Sequence, residues 1–531
     1  MLHSLLSKGA RRKSLAELQG STEEAHGPQL KRVLSATDLF IAGLGCIIGA
    51  GIFVLTGVAA AEHAGPAIIV SFALAAVVCA LVALSYAELA SMIPVSGSAY
   101  TYAYATLGEF LAWIIGWDLL LEYAVGSSAV AVGWSGYLQA VLKGGGIVLP
   151  AFLSKAPENL PVAAVLATVI SLLVGGYLLD RSLKSFRNGA SRSLASIVSV
   201  IGGAALILFG LFEGVKAVSA LGSIDILAVL IVVGINALLV VGIKMAARAT
   251  FWLVAVQTLV ILLFIGIGVW HIDSANFSPF MPFGVSGIVT GAAIVFFAYI
   301  GFDSVTTLAE ECKDPQRDLP KGILWSLVVC TLLYMAMAAV MAGALTYTKL
   351  GTEAPVATVL DHIGDHWAIP IVSVGALAGL TSTLLVLLLG QSRIMMRMSR
   401  DGLLSPRMGE ISHRFHTPTR AIVILGSLVA LCAGILPIGE LAELCNIGTL
   451  AAFVVVCLGV IILRYKEPDR VRRFRCPGSP WVPAAGVVVC VGLMLSLPML
   501  TWIRFMVWML IGIGIYASYG SRHSRLNHRQ D

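Results

Sequence analysis

Charge is what this chain has least of. Only 12% of its 531 residues are Asp, Glu, Lys or Arg, against roughly 25% in soluble domains, so an ordinary globular fold is excluded. The nine cysteines include no CxxC pair and no Cys/His spacing suited to zinc. Most of them (Cys46, Cys79, Cys330, Cys457, Cys490) stand inside apolar runs, where a small buried hydrophobe is the simpler reading. No metal, redox or other cofactor is expected, and the histidines His63, His271, His362 and His366 sit at span ends or in loops. Residues 1–35 are polar and basic with no short apolar core, so they do not read as a cleavable signal peptide. There is no phosphate-binding P-loop, and the apolar runs hold no nucleophile with a base beside it. An enzyme is therefore not expected. Net charge is +6, but the basic residues lie between apolar runs, and no nucleic-acid partner is expected.

What is present is hydrophobicity in long blocks. Apolar residues make up 58% of the chain and come in runs of about 20, which cross ~30 Å of hydrocarbon at 1.5 Å per residue. The chain reads as an all-α polytopic membrane protein. Fourteen spans are expected: Leu39–Ala61, Ala67–Ile93, Phe110–Leu142, Leu160–Leu179, Leu194–Phe212, Ile224–Ile243, Thr250–Trp270, Val285–Ala309, Ile323–Leu345, Ala368–Met396, Ala421–Leu436, Gly439–Leu463, Trp481–Leu497 and Leu500–Tyr519. If all of them cross, every Lys/Arg-rich segment falls on the side of the N-terminus. Those segments include 180–192, 244–248, 313–321, 397–420, 464–475 and 521–529. By the positive-inside rule both termini are then cytoplasmic, in the inner or plasma membrane.

Two spans carry a helix-breaking interruption at a comparable place. The first is "GCIIGAGIFVLTG", residues Gly45–Gly57, with Gly49–Ala50–Gly51 at its centre. The second is "FFAYIGFD", where Ala298–Tyr299–Ile300–Gly301–Phe302 sits mid-span and Asp303 follows. Glycine in a helix interior costs on the order of 0.5–1 kcal/mol relative to alanine, so such sites need a reason. Paired broken helices in two halves point to a secondary transporter built from inverted repeats. Five helices per repeat make the first half about 50 residues longer than the second, which identifies an inserted hairpin. The expected organisation is a tail over 1–35, a first repeat over 36–270 with the insertion at about 144–222, and a second repeat over 271–463. A loop with two trailing helices (464–519) and a tail (520–531) complete it.

The motifs "LKRVLSATDLFIAGLGCIIGAGIFVLTG", "VSGSAYTYAYATLGEFLAWIIGWDLLLEYAVGSSAVAVGWSGY", "FFAYIGFDSVTTLAEECKDPQRDLPKGI" and "LLLGQSRIMMRMSRDGLL" closely resemble the cationic amino acid transporter family. That family belongs to the amino acid–polyamine–organocation superfamily. The resemblance covers nearly the whole chain outside about 144–222. It implies a leucine-transporter-type 5+5 inverted-repeat fold, alternating access, and an amino acid held near the midplane.

The residues give the site a chemical reading. Unwinding around Ile48, Gly49, Ala50, Gly51 and Ile52 frees backbone N–H groups at the start of a half-helix, a natural seat for a carboxylate. Freed carbonyls near Phe297, Ala298 and Tyr299 can accept from an ammonium. The competing reading, glycines that only let helices pack closely, does not account for the matching break. Thr381, Ser382 and Thr383, with Phe297 and Phe302, are the expected side-chain lining.

Charges at membrane depth cost a few kcal/mol and default to functional hypotheses. Asp118 and Glu122 share one helix face, and Asp303 follows the second break. Glu122 and Asp303 are candidates for attracting a basic side chain or carrying a proton, against a structural hydrogen-bonding role. Glu88 reads as a gate or surface residue. The resemblance places Gln257 where proton-coupled bacterial members carry a titrating lysine, and a glutamine amide does not titrate near neutral pH. Uniport, exchange, and proton coupling moved to Glu122 or Asp303 all stay open, as does a purely structural Gln257.

The expected function is transport of cationic and/or small neutral amino acids. The alternatives are a non-transporting amino acid sensor on the same fold or an amino acid/polyamine exchanger. Expected partners are the amino acid, protons as a coupling-ion candidate, and the lipid bilayer. Whether the inserted hairpin receives a small membrane partner is open.

Overall fold

The first helix starts where the sequence supplies a reciprocal cap. Ser35 N–H donates to Asp38 Oδ2 at 2.8 Å while Asp38 N–H donates back to Ser35 Oγ at 3.4 Å, a capping box. The computed structural model describes residues 34–93, 95, 97–156, 223–241, 243–352, 354–412 and 417–527. Among them the longer α-helices are α1 Ala36–Ile47, α2 Ile68–Met92, α3 Ser98–Thr106, α4 Glu109–Gly144, α5 Ile226–Val241, α6 Ile243–Gly268 and α7 Gly284–Val295. The remainder are α8 Pro315–Ala344, α9 Pro355–Ile363, α10 Ala368–Arg400, α11 Thr419–Ile435, α12 Ile438–Lys466, α13 Trp481–Leu495 and α14 Met499–Ile515. No strand occurs among the described residues, only an isolated bridge between Leu34 and Cys312.

Eight helical stretches among the described residues are long and apolar enough to cross a membrane. They are Gly51–Met92, Glu109–Gly144, Phe251–His271, Gly284–Ala309, Pro315–Ala344, Ala368–Arg400, Ile438–Lys466 and Met499–His523. Four apolar helices are shorter: α1, α5, α11 and α13. The protein is thus an all-helical multi-pass membrane protein. Two of the expected spans, Leu160–Leu179 and Leu194–Phe212, lie outside the described residues, as does most of the expected insertion.

The chain forms two compact units. In the smaller, drawn from Leu149–Ile226 and Gly434–Pro437, Ala151–Ser154 makes a single helical turn. Ile224 N–H there donates to Phe152 O at 2.9 Å and Asp225 N–H to Gly434 O at 3.0 Å. All that follows concerns the larger unit. Its most enclosed membrane-length helix is α4, along which α10 and α12 both pack. Lipid supplies no hydrophobic drive between helices, so close backbone approach through small residues does that work. Gly390 of α10 admits the Tyr123 ring, where a Cβ would stand 2.7 Å from it, and Gly116 admits Met398 and Tyr100.

Candidate functional site

Both interruptions are present, and they touch. α1 ends at Ile47, Ile48 is extended (φ −75°, ψ 98°), and the chain resumes as a widened π turn over Gly51–Leu55. In the other half, α7 ends at Val295 and tightens to 3₁₀ over Phe296–Tyr299. Ile300 is extended (φ −60°, ψ 135°) and Gly301 takes φ 117°. A second 3₁₀ run, Asp303–Glu311, follows; nine residues is long for this geometry, which rarely exceeds 3–4 and often marks a hinge. A Cβ on Gly51 would overlap the backbone of Ala298, and one on Gly301 would stand 2.7 Å from Cys46 O. Each break therefore supplies the glycine that lets the other approach.

Side chains from three other helices hold the breaks in place. The Tyr334 hydroxyl of α8 lies 2.8 Å from Ile47 O and 3.0 Å from Ala298 O. One proton is shared between a carbonyl of each break. The Thr383 hydroxyl of α10 reaches Ile48 O at 3.0 Å and Gly45 O at 3.2 Å. Tyr137 of α4 donates to Phe53 O at 2.7 Å. Sequence reasoning did not single out Tyr334 or Tyr137. Their signal was a phenol inside an apolar run, since a buried tyrosine hydroxyl needs an acceptor.

Around this junction lies a cavity of about 20 Å³, enough for roughly one water molecule. Cys46, Ile47, Gly49, Ala50 and Gly51 form the wall from the first break, and Phe297 and Ile300 that from the second. Glu122, Gly126 and Val130 of α4, Thr383 and Leu387 of α10, and Cys445 of α12 complete it. Of the sequence candidates, Gly49, Ala50, Gly51, Phe297, Thr383 and Glu122 line the cavity.

The others stand around it. Ile48 and Ile52 are buried in the first break. Ala298 backs Gly51, and Tyr299 donates to Phe72 O at 3.1 Å. Phe302 packs on Phe453 and Tyr86, with ring centroids 5.1 and 5.7 Å away. Thr381 accepts from Trp134 Nε1 at 3.0 Å, and Ser382 is fully buried with no hydrogen-bond partner among the described residues. Gln257 is fully buried, its amide pressed against Gly379 of α10. Neither amide atom has a hydrogen-bond partner among the described residues.

Three buried carboxylates cluster near the breaks. Glu122 keeps one oxygen, Oε2, without a hydrogen-bond partner among the described residues. Asp118, one turn away, has none on either oxygen and rests against Gly448. Asp303 accepts from Ser98 Oγ at 3.1 Å through Oδ2 and leaves Oδ1 free among the described residues. Ser98 itself sits at φ 49°, a region that side chains rarely occupy and that marks functional sites.

Glu88 is not a surface residue. It is fully buried, with Arg464 Nη2 at 2.7 Å, Arg472 Nε at 3.2 Å and the Cys476 N–H at 2.7 Å. These contacts tie α2 to the loop after α12. Burial, and after it the Glu88 carboxylate, push the Cys476 thiol up to about 11.

The model of the amino acid permease family matches residues 34–517, nearly the full chain and both breaks. The chain belongs to this family. The permease is similar to the branched-chain amino acid permease BcaP of Bacillus subtilis (strain 168), 43% identical over 527 residues, which cover 97% of this chain and 98% of that protein. It is also similar to the methylthioribose transporter of the same organism, 40% identical over 512 residues (96% and 98%). The vacuolar cationic amino acid transporter 4 of Arabidopsis thaliana is 38% identical over 446 residues, 84% of this chain and 65% of that protein. The relatives are named for transport, and this permease is a transporter rather than an enzyme.

Proposed function

We propose that the permease carries amino acids across the cytoplasmic membrane by alternating access. The backbone at Gly49–Gly51 holds the substrate carboxylate, and the carbonyls of Phe297–Tyr299 hold its amino group. The observation that carries this reading is the meeting of the two breaks, Gly51 on Ala298 and Gly301 on Cys46, beside one cavity. Irregular backbone at membrane depth is tolerated where it is buried or lines a cavity, and N–H groups that start a half-helix suit an anion. A cavity with room for about one water does not hold an amino acid, so the lining must part during the cycle. The long 3₁₀ run and the shared Tyr334 proton are where it can give.

The architecture that fits is five plus five helices in inverted repeats, 36–270 and 271–463. The hairpin inserted at about 144–222 and the two trailing helices bring the count to fourteen spans, with both termini cytoplasmic. Gln257 does not titrate, which withdraws proton coupling through that position. A proton, where one moves, moves on Glu122, whose free oxygen borders the cavity, or on Asp303 beyond the second break. The test is uptake of labelled arginine, leucine and alanine by the purified permease in liposomes. Saturable uptake is expected, and binding without turnover would replace transport by sensing.

A further inference from the structure

If the breaks hold the head common to all amino acids, the remaining walls must read the side chain. On α4 those walls are Glu122, Gly126 and Val130, four residues apart and so stacked on one face. Gly126, in the middle, contributes no side chain. A Cβ there would lie 3.3 Å from Cys445 Sγ and 3.8 Å from Leu387 Cδ1, ordinary to slightly tight distances, and it would occupy the hollow itself. Val130, Leu387 and Cys445 around it are apolar. We infer that Gly126 sets the size of the accepted side chain: once the lining parts, the missing side chain at this position lets a branched aliphatic group enter against Leu387, Cys445 and Val130. The inference rests on the transport reading above.

Its test compares leucine, alanine, phenylalanine and arginine uptake in liposomes for the wild type, Gly126→Ala, Gly126→Val and Leu387→Ala. The leucine-to-alanine ratio of kcat/KM is expected to fall about tenfold in Gly126→Val, the discrimination that one or two methyl groups give in an apolar pocket. Leu387→Ala, which widens the hollow from the other side, is expected to raise phenylalanine relative to leucine. Ratios that stay at the wild-type value in both Gly126 variants would overturn the assignment of Gly126 while leaving transport standing. A wild type that carries arginine and not leucine would overturn the aliphatic class. A wild type that carries no amino acid would remove transport and this inference together.

A different observation, at the end of the chain, carries a second inference independently. Ser524 is fully buried and donates to Glu109, whose carboxylate also receives Tyr104 at 3.2 Å and Tyr516 at 3.0 Å. Arg525 N–H donates to Asp401 O at 3.2 Å. The Asp401 carboxylate in turn receives Tyr100 at 2.7 Å. Tyr100 and Tyr104 are both on α3, the helix that begins with Ser98 and its contact to Asp303 beyond the second break. We infer that residues 521–527 form an autoinhibitory strap: Ser524 and Arg525 fix Glu109 and Asp401, the two acceptors on which Tyr104 and Tyr100 hold α3, and with α3 the contact of Ser98 to Asp303. Ser524→Ala and truncation after Gly520 are expected to raise the maximal uptake rate about two- to tenfold, the factor one hydrogen bond of ordinary net strength is worth. A strap that merely stabilises the fold would lower the melting temperature without raising the rate. An unchanged or reduced maximal rate in both variants overturns the inference.

Discussion

Replacing Gly51 by alanine would drive a methyl group into the Ala298 backbone, where neither break can yield without moving the other. Overpacking of this kind costs about 1–3 kcal/mol, and here it falls on the junction proposed to hold the substrate. Gly51→Ala is expected to cut uptake more than tenfold and to lower the melting temperature. Gly266→Ala is the control. A Cβ there meets nothing within 4 Å, so removing a helix-interior glycine should raise stability by about 0.5–1 kcal/mol. Thermal unfolding in detergent with parallel uptake measures both.

At Glu88 the loss is electrostatic. Glu88→Gln takes the carboxylate from Arg464 and Arg472, and breaking a buried pair costs about 3–5 kcal/mol, toward the lower end because Arg464 keeps some solvent and Arg472 keeps its backbone carbonyl acceptors. Burial, and after it the neighbouring Glu88 carboxylate, are expected to make Cys476 slow to react. With its thiol pushed up to about 11, above an unfolded value near 8.5, it stays protonated at pH 8. Mass spectrometry after iodoacetamide should find it unmodified in the folded permease and labelled after unfolding. The deficit of folded thiolate means stability from this group is full below about pH 8.5 and is lost as pH rises toward 11.

Among the elements, the breaks were legible because Gly49–Ala50–Gly51 and Ile300–Gly301 stand out in apolar runs. What they do to each other was not. No spacing within one segment says that Gly51 faces Ala298, or that Tyr334, some 36 residues after Ala298, shares its proton between both. The intramembrane acids were visible as charges, but Glu88, expected as a gate or surface residue, is buried because its partners lie far along the chain, at the end of α12 and in the loop after it. Thr381, Ser382 and Thr383 are adjacent in sequence, yet on a helix they point in different directions, and Thr383 is the one on the cavity. Tyr334→Phe should cost about 1 kcal/mol at the junction and slow uptake without changing the substrate spectrum. Gln257, without a hydrogen-bond partner among the described residues, lies outside the cavity lining. Uptake by the wild type is therefore expected to be insensitive to an imposed proton gradient through this position. Gln257→Lys should introduce pH dependence if α6 still moves with the first break, and uptake at a series of external pH values reads the difference.

For the whole molecule, low charge and long apolar blocks sufficed to specify an all-helical multi-pass protein, because a bilayer admits so few backbone solutions. Span counting is less direct. α1 is cut short by the break at Ile48, and the widened turns from Gly51 run on into α2, so one sequence block becomes two structural pieces. The central claim is that two touching breaks make one amino acid site that moves its occupant. Uptake of labelled amino acid by purified permease in liposomes tests it most directly. The account predicts saturable uptake, competed by unlabelled substrate and cut more than tenfold in Gly51→Ala. Absence of saturable uptake for arginine, leucine and alanine alike would contradict it.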